Sequence, residues 1–106
     1  MTDASGNVLD GKVVLVTGAG GGIGRAIAIA MAASGAKVVV NDIGASLTGD
    51  ATGLNPGQQV VEEIRAAGGE AVHNGDSVAD AAGAERMVNL AVETFGRIDC
   101  VVNNAG

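Results

Sequence analysis

The sequence predicts an α/β fold, a parallel sheet of about four strands with helices on both faces, three layers in all. Three observations predict it. Four short apolar runs, residues 12–17 (KVVLVT), 37–41 (KVVVN), 70–73 (EAVH) and 98–103 (IDCVVN), alternate with three stretches of helical periodicity. The runs are continuous rather than alternating, as strands covered on both faces are. Glycines or turn pairs punctuate nearly every junction. Right-handed crossovers then favour the strand order 3-2-1-4.

The elements follow in order. Residues 1–8 (MTDASGNV) read as a disordered lead-in, and Asp10-Gly11 as a turn. After the first strand, residues 18–24 form a glycine-rich loop. A helix over 23–34 places Ile23, Ile27, Ala30 and Met31 on one face, and Gly35 stops it. The second strand is followed by a long polar loop over 42–55. Asn55-Pro56-Gly57-Gln58 then reads as a capping box, with proline at the first helical position. That helix runs to about Ala67, buries Val60, Val61 and Ile64, and ends at Gly68-Gly69. Ser77-Val78-Ala79-Asp80 resembles a second box. Its helix is expected to bury Met87, Val88, Ala91, Val92 and Phe95 and to stop at Gly96. His73, near the third strand's end, is expected to be structural, and Cys100 to be a buried small hydrophobe.

Composition bounds the function. The chain has 106 residues, enough for one domain, and 47% apolar content argues against disorder. A net charge of −6 argues against a nucleic-acid binder, whose affinity rests on clustered Lys and Arg. One Cys and one His leave no disulfide framework and no protein-built zinc site, so no metal is expected. The first ten residues lack the pattern of a signal peptide. The longest apolar run, residues 26–33, falls far short of the roughly 20 residues that span a bilayer. A cytoplasmic location and no membrane partner are the resulting expectations.

The loop after the first strand reads Thr17-Gly18-Ala19-Gly20-Gly21-Gly22-Ile23-Gly24. It leaves a strand and opens a helix, the context a dinucleotide site requires in a Rossmann-type domain. A helix N-terminus offers unpaired N–H groups and partial positive charge to a pyrophosphate. Gly18 permits a tight turn, Gly22 lets backbone approach the phosphates, and Gly24 lets the helix lie close to the sheet. The spacing is T-G-x-x-x-G-x-G rather than G-x-G-x-x-G. A near P-loop over residues 6–12 (GNVLDGK) fails, because Val13 replaces the Ser or Thr and a strand follows instead of a helix. Asp42 ends the second strand, a little over 20 residues after Gly18, where an acid hydrogen-bonds the adenosine ribose of NAD. A carboxylate there disfavours the extra phosphate of NADP: two like charges about 4 Å apart repel by about 4 kcal/mol at an effective dielectric near 20.

With Asp76-Ser77 and Asn103-Asn104-Ala105-Gly106, these features resemble the short-chain dehydrogenase/reductase family over nearly all of residues 9–106. The resemblance implies NAD as cofactor, held by Gly18, Gly20, Gly21, Gly22, Ile23, Gly24 and Asp42. It implies that Asp76 reaches the adenine amino group and that the Ser77-Val78 backbone lines the adenine pocket. Asn103, Asn104, Ala105 and Gly106 would close the cleft beyond the fourth strand, with Asn104 and Ala105 beside the nicotinamide-side ribose, and the Asn103-Asn104 pair would brace the sheet. The succession VVVNDIG, VVEEIR, DSV and FGRID resembles one branch, the 3-hydroxyacyl-CoA dehydrogenase unit of multifunctional enzymes type 2 and their bacterial relatives. That branch implies oxidation of a secondary alcohol, a 3-hydroxyacyl-CoA or a hydroxysteroid.

The family's acid/base step uses a Ser and a Tyr-x-x-x-Lys motif, and these 106 residues contain no Tyr. The sequence therefore reads as a truncated domain, residues 9–106 being its NAD-binding part, with no catalytic residue and no turnover of its own. Truncation would leave the fourth strand as an apolar edge, which predicts homo-oligomeric association. A non-catalytic nucleotide-binding or interaction module is the alternative. An S-adenosylmethionine-binding protein shares the loop and the acid, but the 103–106 motif and the spacing of 17–24 argue against it.

Overall fold

The computed structural model describes residues 8–43, 56–77 and 80–104. Among the described residues seven elements alternate: β1 (Val13–Thr17), α1 (Gly22–Ala33), β2 (Lys37–Asn41), α2 (Pro56–Ala66), β3 (Glu70–Asn74), α3 (Ala81–Phe95) and β4 (Cys100–Val102). The sheet order is β3-β2-β1-β4 and every pairing is parallel, as the alternation predicts. Among the described residues no helix is long and apolar enough to cross a membrane.

The two central strands are buried on both faces because β1 and β2 carry consecutive apolar side chains, Val13–Val16 and Val38–Val40. Val14, Val16, Val38 and Val40 pack on one face with Ala28 of α1 and Val60, Val61 and Ile64 of α2. Val13, Leu15 and Val39 pack on the other with Met87 and Ala91 of α3. Each of these buried Val, Leu, Ile and Met side chains contributes about 1.5–3 kcal/mol, so the central pair β1–β2 is the rigid base of the fold. Register fixes what lies at the carboxyl ends. Thr17 pairs with Asn41, and Asn41 with Asn74, so three polar residues close three apolar strands side by side.

Four local expectations need correction. In α1 the buried positions are Gly24 and Ala28, with Ile27 and Met31 half-buried and Ile23 and Ala30 exposed. The helix lies so close to β1 that its smallest residues, not its largest, face the sheet. In α3 the buried row is Gly83, Met87 and Ala91, four residues apart, which leaves Val88 and Val92 exposed one step round the helix. The N-cap of α3 is Asp80, whose carboxylate accepts from Ala82 N–H at 3.0 Å, rather than Ser77. The cap Asn55 predicted for α2 lies outside the described residues.

The fourth correction concerns β4, which is shorter than expected. Asp99 stands before it and uses its side chain as a ladder partner, Oδ2 accepting from Val13 N–H at 2.8 Å, while Asp99 N–H donates to Val13 O at 2.9 Å. Cys100 is exposed rather than buried, and Val101 is 52% exposed. Both belong to a strand that, among the described residues, pairs with β1 alone.

Candidate functional site

The carboxyl ends of β1, β2 and β3 bring together most of the residues singled out above, at the edge where parallel α/β sheets bind ligands. The entrance to the glycine loop is pinned from both sides. Ala19 N–H donates to Asn41 O at 2.9 Å, tying the loop to β2. Thr17 Oγ1 donates to Val102 O at 3.2 Å and accepts from Asn104 N–H at 2.9 Å, tying it to the end of β4. Asn104 Nδ2 also donates to Gly18 O at 3.2 Å. Of the asparagine pair expected to brace the sheet, Asn104 makes these contacts.

Glycine is required here for two distinct reasons. Gly18 (φ 64°) and Gly22 (φ 57°) occupy the left-handed region, where a Cβ is penalised. Gly24 is required by proximity, since a Cβ there would strike the Gly18 carbonyl oxygen and lie 2.6 Å from Asn104 Nδ2. Gly20 is equally confined, because a Cβ would sit 2.6 Å from Asp42 Cγ and 2.7 Å from Asp42 Oδ2. Gly21 and Gly22 face open space. They begin a helix with no side-chain cap and no acid in its first turn. Backbone donors and a helix dipole therefore meet at an uncrowded surface, an arrangement suited to a phosphate. Ile23, the next residue, is 73% exposed and accessible to a ligand in that space.

Asp42 follows β2. Its N–H donates to Asn74 O at 3.0 Å, and its carbonyl accepts from His73 Nε2 at 3.3 Å. A carbonyl can only accept, so the His73 proton sits on Nε2. Gly57, in the first turn of α2, makes room for that imidazole: a Cβ there would lie 2.6 Å from His73 Cδ2 and 3.1 Å from Asp42 Cβ. His73 is thus structural, as expected, with Asp42 as the thing it supports.

Asp76 is held at four atoms. Its N–H donates to Asn74 Oδ1 (2.9 Å) and its carbonyl accepts from Asn41 Nδ2 (2.8 Å). Oδ2 accepts from Asn74 Nδ2 (2.9 Å), and Oδ1 accepts from both Arg86 Nε (3.0 Å) and Arg86 Nη2 (2.8 Å). Asn41 Nδ2 also donates to Asn74 Oδ1 at 2.8 Å. Asn41 and Asn74 are 2% and 8% exposed, so this is a satisfied polar network at the rim of the core. The Arg86 fork, then the Asn74 amide, hold the Asp76 carboxyl below the usual carboxylate range. The Ser77 carbonyl accepts from Asp80 N–H at 3.2 Å and would meet a Cβ on Gly83 at 2.7 Å, so α3 presses against this turn. Val78, Ala105 and Gly106 lie outside the described residues.

Asn41, Asn74 and Arg86 were not anticipated. The two asparagines carried a signal, since each is the polar residue that closes an apolar strand. Arg86 carried none, because it reaches Asp76 across ten positions from the second turn of α3.

Comparison with known proteins gives the family and the fold. The family model described as short chain dehydrogenase matches residues 12–106. The chain is 57% identical over 97 residues to the mouse (Mus musculus) peroxisomal multifunctional enzyme type 2, covering 92% of this chain and 13% of that protein. It is 55% identical to peroxisomal multifunctional enzyme A of Dictyostelium discoideum, covering 90% of this chain and 21% of that one. The chain therefore spans between about a tenth and a fifth of these relatives. Among solved structures, a short chain dehydrogenase from Mycobacterium avium superposes with a TM-score of 0.86 at 61% identity, over 94% of this chain and 36% of that one. A 7α-hydroxysteroid dehydrogenase complexed with NADH and 7-oxo glycochenodeoxycholic acid gives 0.84 at 37% identity, over 100% of this chain and 38% of that one.

Proposed function

This chain belongs to the short-chain dehydrogenase family, and we propose that residues 9–106 are its NAD-binding part. The parent reaction is reversible hydride transfer between NAD and a secondary alcohol, of the 3-hydroxyacyl-CoA or hydroxysteroid class. One observation carries the reading: Gly20 abuts the Asp42 carboxylate, so a phosphate cradle and a ribose-binding acid are neighbours. The open surface at Gly21 and Gly22 fits a pyrophosphate, and the carboxylate fits a ribose diol while repelling a phosphate in its place.

In this reading Gly18, Gly20, Gly21, Gly22, Ile23 and Gly24 hold the pyrophosphate, and Asp42 holds the adenosine ribose. Asp76, Ser77 and Val78 line the adenine pocket. Asn104, Ala105 and Gly106 bound the nicotinamide end, with Asn104 keeping the Gly18 turn and the end of β4 in fixed relation. The nicotinamide ring supplies the redox chemistry when bound. These residues bind and orient it. The proton transfer belongs to a tyrosine, which these 106 residues do not contain. NAD-dependent oxidation by the isolated 106 residues would overturn the division of labour proposed here.

Self-association through the β4 edge is the partner reading, supported by the exposure of Cys100 and Val101. A strictly monomeric species in light scattering counts against it. The cytoplasm is the compartment we propose, on the single cysteine, although the relatives just described are named as peroxisomal enzymes.

Calorimetric titration with NAD and NADP tests the cofactor assignment. NAD is expected to bind at least a hundredfold more tightly, and D42A to close most of that gap by weakening NAD and admitting NADP. Equal affinities in the wild type would overturn the role of Asp42.

A further inference from the structure

The Asp76 carboxylate has four hydrogen-bond acceptor positions, two on each oxygen, and no donor while it is ionised. Three are taken. Arg86 Nε and Nη2 occupy both positions on Oδ1, at 3.0 and 2.8 Å. Asn74 Nδ2 occupies one on Oδ2, at 2.9 Å. The side chain is still 24% exposed, so the fourth position, on Oδ2, is within reach of a ligand. Asn74 cannot turn away from Oδ2, because its own Oδ1 is committed to Asn41 Nδ2 and to Asp76 N–H. The carboxylate is therefore clamped at both oxygens with a single acceptor left to offer.

We propose that Arg86 is a positioning residue that sets the choice of base. By clamping Oδ1 it makes Asp76 present one fixed acceptor, which takes an exocyclic amine and refuses a carbonyl at the same place. The inference rests on the reading that the adenine of NAD lies at Asp76, and names the residue that gives that contact its selectivity. Adenine carries an amine at C6 and hypoxanthine a carbonyl, an acceptor facing an acceptor. The fork matters as well as the charge. Lysine in place of Arg86 supplies a cation without the two parallel N–H groups that stop the carboxylate rotating. Among the described residues Asp80 is the other charged group near this pair, with Oδ2 3.8 Å from Arg86 Nη2. It caps α3 and competes weakly for the same guanidinium.

The test uses the intact protein that carries this chain, with R86M and R86K, titrated calorimetrically at neutral pH with NAD and with nicotinamide hypoxanthine dinucleotide. The wild type is expected to prefer NAD tenfold or more. R86M is expected to cut that preference at least fivefold, chiefly by weakening NAD, and R86K to behave like R86M. A change in the ratio of two affinities is not what a merely structural role would produce, since loss of folded protein lowers both alike. An unchanged ratio in R86M, with NAD still bound by the wild type, overturns the role of Arg86 alone. Wild-type behaviour in R86K overturns the fork. Failure of the wild type to bind NAD overturns the cofactor reading, and this inference with it.

Discussion

Around the glycine loop after β1 the site is made of backbone, whereas at the ends of β2 and β3 it is made of side chains. The first region positions itself through Gly18, Gly20 and Gly24, where the absence of a Cβ lets a turn, a carboxylate and a helix approach one another. The second region uses Asn41, Asn74, Asp76 and Arg86, in which nearly every polar atom has a partner on another element. The difference teaches how each half tolerates change. A glycine cradle fails by steric exclusion, abruptly and through stability. A side-chain network fails by leaving a partner unsatisfied, and its damage spreads no further than the network.

The largest effect is therefore expected at Gly24. In G24A the new Cβ meets the Gly18 carbonyl, backbone that cannot swing aside without moving the end of β1, and crowds the Asn104 side-chain amide. Overpacking of this kind costs about 1–3 kcal/mol. Denaturant titration of the intact protein should show a loss in that range, together with loss of NAD binding. A loss under about 0.5 kcal/mol would mean that the approach of α1 to β1 is softer than the backbone-built half requires.

N41A is the matching test of the other half, with a somewhat smaller effect. Asn41 Nδ2 donates to Asn74 O (3.3 Å), Asn74 Oδ1 (2.8 Å) and Asp76 O (2.8 Å), all at the buried rim. Removing a buried partner costs about 1–3 kcal/mol. Asn74 Oδ1 keeps the Asp76 amide and Asn74 O keeps the Asp42 amide, which places the expectation in the lower part of that range. Its specific sign is weakened NAD binding with the NAD-over-NADP preference intact, because Asp42 answers to the glycine loop. If N41A and G24A damage that preference equally, the two halves are one unit and the comparison fails.

The same contrast explains what could be read from the residues in order. Continuous apolar runs are local, so β1, β2 and β3 and the strand order were legible. A glycine loop between a strand and a helix is also local, and Gly18, Gly22 and Gly24 could each be given a role from the sequence, whereas the contact of Gly20 with Asp42 could not. Arg86 was illegible because its partner lies on another element, and a charged residue on a helix reads as a solvated face. The exposed Val88, Val92 and Cys100 were misjudged for the same reason in reverse. Periodicity marks an apolar face, but whether that face is covered depends on what stands beside it in the sheet.

The molecule carries its own control for the side-chain half. Arg97 donates to Asp99 Oδ1 from Nε (3.2 Å) and Nη2 (2.7 Å), the same fork that Arg86 places on Asp76, but before β4 and away from the glycine loop. Arg97, then the Val13 backbone amide, hold the Asp99 carboxyl below its ordinary value of 3.8. A carboxyl lowered in the folded state adds stability above its unfolded pKa and loses it as pH falls through the lowered value. R97M removes the main cause of that lowering. It should therefore be slightly less stable than wild type at pH 7, with the difference closing as the pH drops below 3.8. Its NAD affinity and its preference for adenine over hypoxanthine should match wild type. Should R97M also shift the base preference, an Arg–Asp fork anywhere on this small sheet would be enough to disturb the site. The selectivity assigned to Arg86 would then lose its claim to act through Asp76.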